Sequence, residues 1–200
     1  MNENSQNFSL EALRAGDRAE LARVVDAFSG QIYRLALKML GNPQDAEDVL
    51  QNTFLKAIQH FPNFEGRSSI STWLYRIAAN EALMLLRKQK PEIPVPGEEE
   101  ADEDDDHLPV QFVDWSSLPE AELASSEAHI YLDSAIRQLS EKLRMVFILR
   151  DVEGLSIRET GEVLGLTETA VKTRLLRARL QLREQLSDYY RERLPQENVQ

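Results

Sequence analysis

Residues 156–183 carry local signals that leave few options except two helices joined by a tight turn. Ser156-Ile157-Arg158-Glu159 has the spacing of a capping box, in which the serine hydroxyl and the glutamate carboxylate each take a free backbone N–H. A helix therefore begins there. Gly165 is the residue type that ends a helix in the left-handed conformation, and Thr167 then offers a hydroxyl as N-cap of the next. Gly161 lies inside the first helix, where an exposed Gly costs about 1 kcal/mol relative to Ala, so a close crossing by a neighbouring helix is expected. A short helix, a glycine turn and a longer second helix make a helix-turn-helix.

The second helix points to an anionic partner. Residues 167–183 hold five cations (Lys172, Arg174, Arg177, Arg179, Arg183) and one acid, Glu168, in a chain of net charge −11. Val171, Leu175, Ala178 and Leu182 share one face at helical spacing and form the expected core side. Thr169, Thr173, Leu176 and Leu180 fall opposite. Lys172, Arg179 and Arg183 flank the outer face on one side, Arg174 and Arg177 on the other. Cations along both edges, with small side chains at the outer N-terminal end, suit a DNA major groove walled by phosphate rows. A basic surface helix on an ordinary bundle is the alternative, and the agreement of caps, turn and charge disfavours it.

The acidity lies elsewhere. Residues 91–127 contain thirteen acids and no Lys or Arg, so setting this segment aside takes the net charge from −11 to +2. The low overall pI describes this stretch and does not oppose nucleic-acid binding by its flanks. The chain has no cysteine, which excludes disulfides and thiolate metal sites. Its three histidines, His60, His107 and His129, show no ligand spacing, so neither a metal nor a cofactor is expected. The first residues lack the basic and apolar regions of a signal peptide. No apolar run approaches the ~20 residues of a membrane span. The expectation is a cytoplasmic protein without membrane insertion.

Residues 17–40 place Leu21, Val24, Val25, Phe28, Ile32, Leu35, Ala36 and Met39 at helical spacing. Gly41-Asn42-Pro43 ends that helix and starts another, which runs to about Gln59 with Leu50, Phe54, Ala57 and Ile58 inward. Residues 60–69 read as a loop, and a third helix follows from about Ser71 to Lys88 with Leu74, Ile77, Ala78 and Leu85 inward. Prolines and the acidic run 98–106 then break regular structure. Ser117-Leu118-Pro119-Glu120 is a second capping box, and residues 141–151 form a further helix before the helix-turn-helix. No strand pattern is present. The expected fold class is all-α: helical domains at 1–90 and 118–200, joined by a flexible acidic linker over 91–117.

Two segments carry a family resemblance: DAEDVLQNTFLKAIQHFPNFEGRSSISTWLYRIAANEALMLLRK (45–88) and LRMVFILRDVEGLSIRETGEVLGLTETAVKTRLLRARLQL (143–182). Together they resemble bacterial sigma factors of the small two-domain extracytoplasmic-function (ECF) group. A helix-turn-helix alone is weak, since many regulators have one. Its combination with STWLYRIAAN upstream is specific. The resemblance implies a dissociable, non-catalytic initiation subunit that gives core RNA polymerase its promoter choice and strand opening. Partners implied are core polymerase, through its β′ coiled coil and β flap, promoter DNA and an anti-sigma factor. No small-molecule substrate is implied.

The resemblance assigns the helix at 45–59 to docking on β′, with Asp45, Asp48, Gln51 and Asn52 as contacts. Asn52 departs from the usual Glu, and Asp45 and Asp48 also complement the helix dipole. The loop residues Phe64, Gly66, Arg67, Ser68 and Ser69 match the family's base-binding loop at the −10 element. Trp73, Arg76, Asn80 and Arg87 follow at spacings of three, four and seven on one face of the third helix. An aromatic platform, an amide and two cations are what single-strand capture needs. Plain core packing is the alternative for Trp73. Primary sigma factors have two adjacent Trp here, against Trp73-Leu74 in this chain. At the −35 element, Thr169, Lys172, Thr173, Arg174 and Arg177 are the candidate readers. Arg150, Arg158 and Arg179 are the candidate phosphate contacts.

The acidic stretch over 91–127, 37 residues, is long enough to bridge the two promoter elements, with an expected span of about 30–36 Å if flexible. An apolar island, residues 108–115, interrupts it. Linker acids could also cover the basic helix. Two rival functions stay open on the residues alone. A stand-alone helix-turn-helix regulator of duplex operators leaves residues 45–88 without a role. A nucleic-acid-processing enzyme finds no carboxylate cluster, nucleophile–base pair or phosphate loop to support it.

Overall fold

The computed structural model describes residues 8–89 and 126–193. The linker, its apolar island and the Ser117–Glu120 capping box lie outside the described residues. Eight α-helices occur among them, in order α1 (Leu10–Arg14), α2 (Arg18–Leu40), α3 (Pro43–His60), α4 (Ile70–Gln89), α5 (Ser126–Gln138), α6 (Glu141–Phe147), α7 (Ile157–Leu164) and α8 (Glu168–Arg193). A 3-10 turn at Phe61–Asn63 follows α3, and a π turn at Ile148–Val152 follows α6. The described residues contain no strand, and the chain is all-α.

Local chemistry sets the helix ends. Asp17 caps α2 by accepting from the Glu20 N–H at 2.9 Å. Gly41 closes α2 in the left-handed region (φ 74°), Asn42 caps α3 through the Gln44 N–H, and Pro43 takes the first turn. Short α1 was not expected. Ser9 caps it, Leu13 is buried beneath it, and Arg14 Nε donates to the Phe64 carbonyl at 2.9 Å.

Helices α2, α3 and α4 pack around Val24, Ile32, Leu35, Met39, Val49, Phe54, Leu74 and Ala78, all buried. Ile58 departs from expectation. It is 44% exposed, because Ala57 takes the inward position on that turn of α3. In the second half, Val171, Leu175, Ala178 and Leu182 of α8 are all buried, against α6 and α7. Burial of such apolar side chains contributes roughly 1.5–3 kcal/mol for each large one.

The two halves are also in contact, α4 with α7 and α2 with α5, and the buried apolar residues of both form a continuous cluster. Among the described residues, several polar contacts cross the seam, Arg34 Nη2 to Glu153 Oε2 at 3.5 Å included. Lys38 Nζ meets Asp133 Oδ1 at 2.7 Å. Arg144 Nη1 donates to the Met39 carbonyl at 2.7 Å while its other nitrogen holds the Arg137 and Leu139 carbonyls. The Tyr75 hydroxyl donates to Glu153 Oε2 at 2.9 Å. Arg76 Nε donates to the Glu162 carbonyl at 3.0 Å.

Candidate nucleic-acid interfaces

The helix-turn-helix is built as its residues require. Ser156 Oγ accepts from the Glu159 N–H at 3.1 Å while Glu159 Oε2 accepts from the Ser156 N–H at 2.8 Å, completing the capping box. The Ser156 hydrogen bonds hold the Glu159 carboxyl below the usual glutamate range. Gly165 has φ 68°, and the Thr167 hydroxyl accepts from the Ala170 N–H at 3.2 Å. Gly161 is indeed a point of close approach, but the neighbour is the turn itself. A Cβ at this position would lie 2.7 Å from the Leu166 carbonyl oxygen and 3.8 Å from Val171 Cγ2.

On the outer surface of α8, Thr169 and Lys172 are exposed, and Thr173, Arg174 and Arg177 are half-buried. Arg158 is exposed and ion-paired with Glu162 at 3.0 Å. Two of the expected phosphate contacts are partly enclosed by the fold. Arg179 is held by Asp151 through two hydrogen bonds, Nε to Oδ2 at 2.8 Å and Nη2 to Oδ1 at 2.7 Å, which raise its pKa. Arg150 is half-buried in the π turn with its Nε enclosed. Leu180 is 41% exposed, while Leu176 is half-buried.

The loop after α3 is organised by three aromatic rings. Trp73 lies 4.9 Å from Phe61 and 4.7 Å from Phe64, centroid to centroid. Phe64 is buried, supports the loop from beneath and forms part of the wall of the concavity there. Trp73 is half-buried, part of the packing on one side. Gly66 turns the loop with φ 78°, and Arg67 pairs with Glu65. Ser69 caps the start of α4 by accepting from the Thr72 N–H, while Arg67 and Gly66 stay exposed and Ser68 half-buried.

The expected single face of Trp73, Arg76, Asn80 and Arg87 becomes two concavities. One, of about 360 Å³, is lined by Asn63, Gly66, Arg67, Ser68, Trp73 and Arg76. The other, of about 420 Å³, is lined by Lys56, His60, Asn80, Glu81, Met84 and Arg87. His60 borders both. Sequence reading missed Lys56 and His60, whose only signal was their place in the last turn of α3, facing the loop. Lys56 is ion-paired with Glu81 of α4.

On α3, Asp48, Gln51 and Asn52 are exposed, and Asp45 accepts from Gln89 Nε2 at 3.0 Å. One turn further along lies Leu55, 57% exposed, a large apolar side chain added to a polar face. Among the described residues no group of His, Cys, Asp or Glu is placed to hold a metal ion. No described helix is long and apolar enough to cross a membrane.

A helix-turn-helix with a basic outer edge is set beside a helical unit with a concave, cation-bordered loop. Comparison with known proteins gives the class its name. Residues 24–92 match the model of Sigma-70 region 2, and residues 129–182 that of Sigma-70 region 4. The chain is 36% identical to the ECF RNA polymerase sigma factor SigW of Bacillus subtilis, over 90% of this chain and 95% of the relative. It is 32% identical to the RNA polymerase sigma-H factor of Pseudomonas aeruginosa, over 92% and 94%. Among solved structures, the sigma factor RpoE in complex with the anti-sigma factor NepR from Bartonella quintana matches with TM-score 0.61 at 25% identity, over 83% of this chain and 96% of that one. CnrH in complex with the cytosolic domain of CnrY shares the fold, with TM-score 0.65 at 23% identity, over 90% and 95%. The chain belongs to the ECF RNA polymerase sigma factors. It directs core polymerase to promoters and initiates transcription there. A stand-alone operator-binding regulator is not favoured, since the match covers both halves. Sigma factors are non-catalytic subunits.

Proposed function

We propose that this sigma factor divides its work among three surfaces. The outer edge of α8 reads the −35 element, with Thr169, Lys172, Thr173, Arg174 and Arg177 at the bases and Arg158 on phosphate. The loop at Gly66–Ser69, with Trp73, Arg76, Asn80 and Arg87 on α4, captures the opened non-template strand of the −10 element. The exposed face of α3, with Asp45, Asp48, Gln51, Asn52 and the apolar Leu55, docks on the polymerase β′ coiled coil. Region 4 meets the β flap, and residues 91–117 bridge the domains at 1–90 and 118–200. The site of action is the cytoplasm. An anti-sigma partner is part of this reading, supported by the relative RpoE, which was solved in complex with the anti-sigma factor NepR.

The observation that carries the −10 assignment is the pair of adjacent concavities along one stretch of α4, each bordered by cations and each with a planar group, Trp73 in one and Asn80 in the other. Stacking on an aromatic platform contributes about 1–3 kcal/mol per base. The test is run-off transcription with core polymerase, combined with permanganate footprinting. Asn80→Ala is expected to keep −35 binding by the holoenzyme and to lose most permanganate-reactive thymine in the −10 region. Wild-type opening by that variant would remove Asn80 from the site.

A further inference from the structure

We propose that α1 braces the −10 loop, with Arg14 and Leu10 as positioning residues that hold the backbone at Phe64–Gly66 in its base-capturing shape. The inference rests on the assignment of the Gly66–Ser69 loop to the −10 strand. It adds a segment outside the two stretches that carry the family resemblance, 45–88 and 143–182. Arg14 Nε donates to the Phe64 carbonyl at 2.9 Å, from 50 residues away in the chain. Leu10 Cδ1 sits on Gly66, 3.1 Å from the position a Cβ would take there. The two contacts fall on either side of Glu65, where the chain leaves the aromatic stack and enters the left-handed Gly66 (φ 78°). Glycine has more backbone freedom than any other residue, so a loop that turns on it keeps one shape where neighbours hold it. Neither Arg14 nor Leu10 lines the concavity, whose wall includes the loop, Trp73 and Arg76. They act on a captured base through the backbone of the loop.

The brace is itself anchored on α2. The Ser9 N–H donates to Glu20 Oε1 at 2.7 Å, and Glu20 is 8% exposed. The other carboxylate oxygen of Glu20 meets Arg23 Nη1 at 2.6 Å. A buried carboxylate is costly unless such partners are present, so Glu20 ties the start of α1 firmly to α2. Phe8 packs on Phe28 of α2 with 5.8 Å between ring centroids, and the Arg23 guanidinium lies 5.3 Å from the Phe8 centroid. Leu13 is buried, and the Asp17 N–H donates back to the Ala12 carbonyl at 2.9 Å. A five-residue helix is not stable alone, so these contacts are what keep Arg14 and Leu10 in place. The result is a fixed path from α2 to the Phe64 carbonyl that is separate from the Trp73 stack.

The test is holoenzyme run-off on promoters that differ only in their −10 bases, read as the preference for the best sequence over its single-base variants. Arg14→Ala and Leu10→Ala should each lower that preference about three- to tenfold, the factor for roughly one hydrogen bond or one or two methyl groups. The reason is that a smaller fraction of loops is competent. Preference at the −35 element should stay as in wild type. Hydrogen exchange of the free full-length chain should rise at residues 64–68 in both variants. Arg14→Lys, which keeps a long cationic donor, should recover part of the preference. Leu10→Ala changes no charge, so a matching loss there separates a brace from attraction between Arg14 and DNA. Attraction alone would lower output from all −10 sequences alike, in Arg14→Ala only, and that pattern would overturn the brace. Val49→Ala cuts a buried side chain in the first half of α3, remote from the loop, and should lower Tm while keeping the preference. An equal loss of preference in Val49→Ala would reduce the α1 effect to general stability and overturn the brace. If one α1 variant does not fold, the other and Arg14→Lys decide. Arg67→Ala, in the loop itself, keeps the two readings apart. A lowered preference there beside wild-type preference in the α1 variants would remove the brace alone. Wild-type preference in Arg67→Ala and in both α1 variants would remove the loop from the −10 element, and the brace with it.

Discussion

Gly161→Ala tests whether the turn of the helix-turn-helix is set by backbone contact. Two effects oppose each other. Alanine favours the α7 helix by about 1 kcal/mol over glycine. The new methyl would sit 2.7 Å from the Leu166 carbonyl oxygen, well inside the ~3.5 Å optimum of a non-bonded pair. That oxygen is backbone, so no side-chain rotation relieves the clash and the turn must retreat. Overpacking of this kind costs about 1–3 kcal/mol, and a backbone neighbour puts it in the upper half of that range. The Gly161 carbonyl also accepts the Gly165 and Leu166 N–H groups, so the displaced turn strains those bonds too. The net expectation is about 1–2 kcal/mol of destabilisation, a fall of roughly 2–8 °C in Tm for a chain of this size. Affinity for a −35 duplex, measured far below Tm, should fall by about tenfold, because α8 is carried on the displaced turn. Gly165→Ala is the control. Nothing lies within 4 Å of its Cβ position, so it carries only the left-handed backbone cost of roughly 1–2 kcal/mol and leaves DNA affinity unchanged in the folded protein. A Gly161→Ala protein as stable as wild type, with wild-type −35 affinity, would refute the contact argument.

Asp151→Asn should release Arg179 from its two hydrogen bonds, and the salt dependence of duplex binding should steepen by about 0.9 if the freed guanidinium then meets a phosphate. An unchanged slope would take Arg179 off the DNA. Glu159 has its folded pKa depressed by Ser156, so its stabilising contribution is present above the unfolded value near 4.3 and is lost as pH falls through the folded one. Glu159→Gln should therefore lose less stability than wild type between pH 5 and 3 in denaturant titrations, by a fraction of a kcal/mol since the site is solvated. Equal losses would mean that the capping carboxylate is not the titrating group.

What was legible in the sequence was local. The Ser156–Glu159 box, Gly165, Thr167 and the Gly41-Asn42-Pro43 break each act within a few residues, and each appears as read. The buried stripe of α8 follows from a 3.6-residue period alone. The contacts between halves were not legible, because Tyr75 and Glu153 are 78 residues apart and no period links them. Ile58 looked inward because its neighbour Ala57 is small, and small residues win where helices approach closely. The packing of the Phe64 ring against Trp73 was not legible either, since no local pattern pairs a loop residue with one nine positions on. Arg14 and α1 were overlooked because five residues are too few to show a period.

The π turn at Ile148–Val152 has a consequence for how this molecule can change through insertion and deletion. Its Glu153 N–H bonds back five residues, to the Ile148 carbonyl at 2.9 Å, so the coil holds one residue more than an α-turn would. Removing that residue would rewind everything upstream against everything downstream by about 100°. Asp151 reaches Arg179 within the helix-turn-helix and Glu153 reaches Tyr75 across the seam, and both depend on the same wide turn. A one-residue length change here would therefore alter the aim of the DNA-reading helix and the fit between the halves in a single event. Neighbouring loops have room to absorb such a change, whereas this segment ties two otherwise separate geometries to one count of residues.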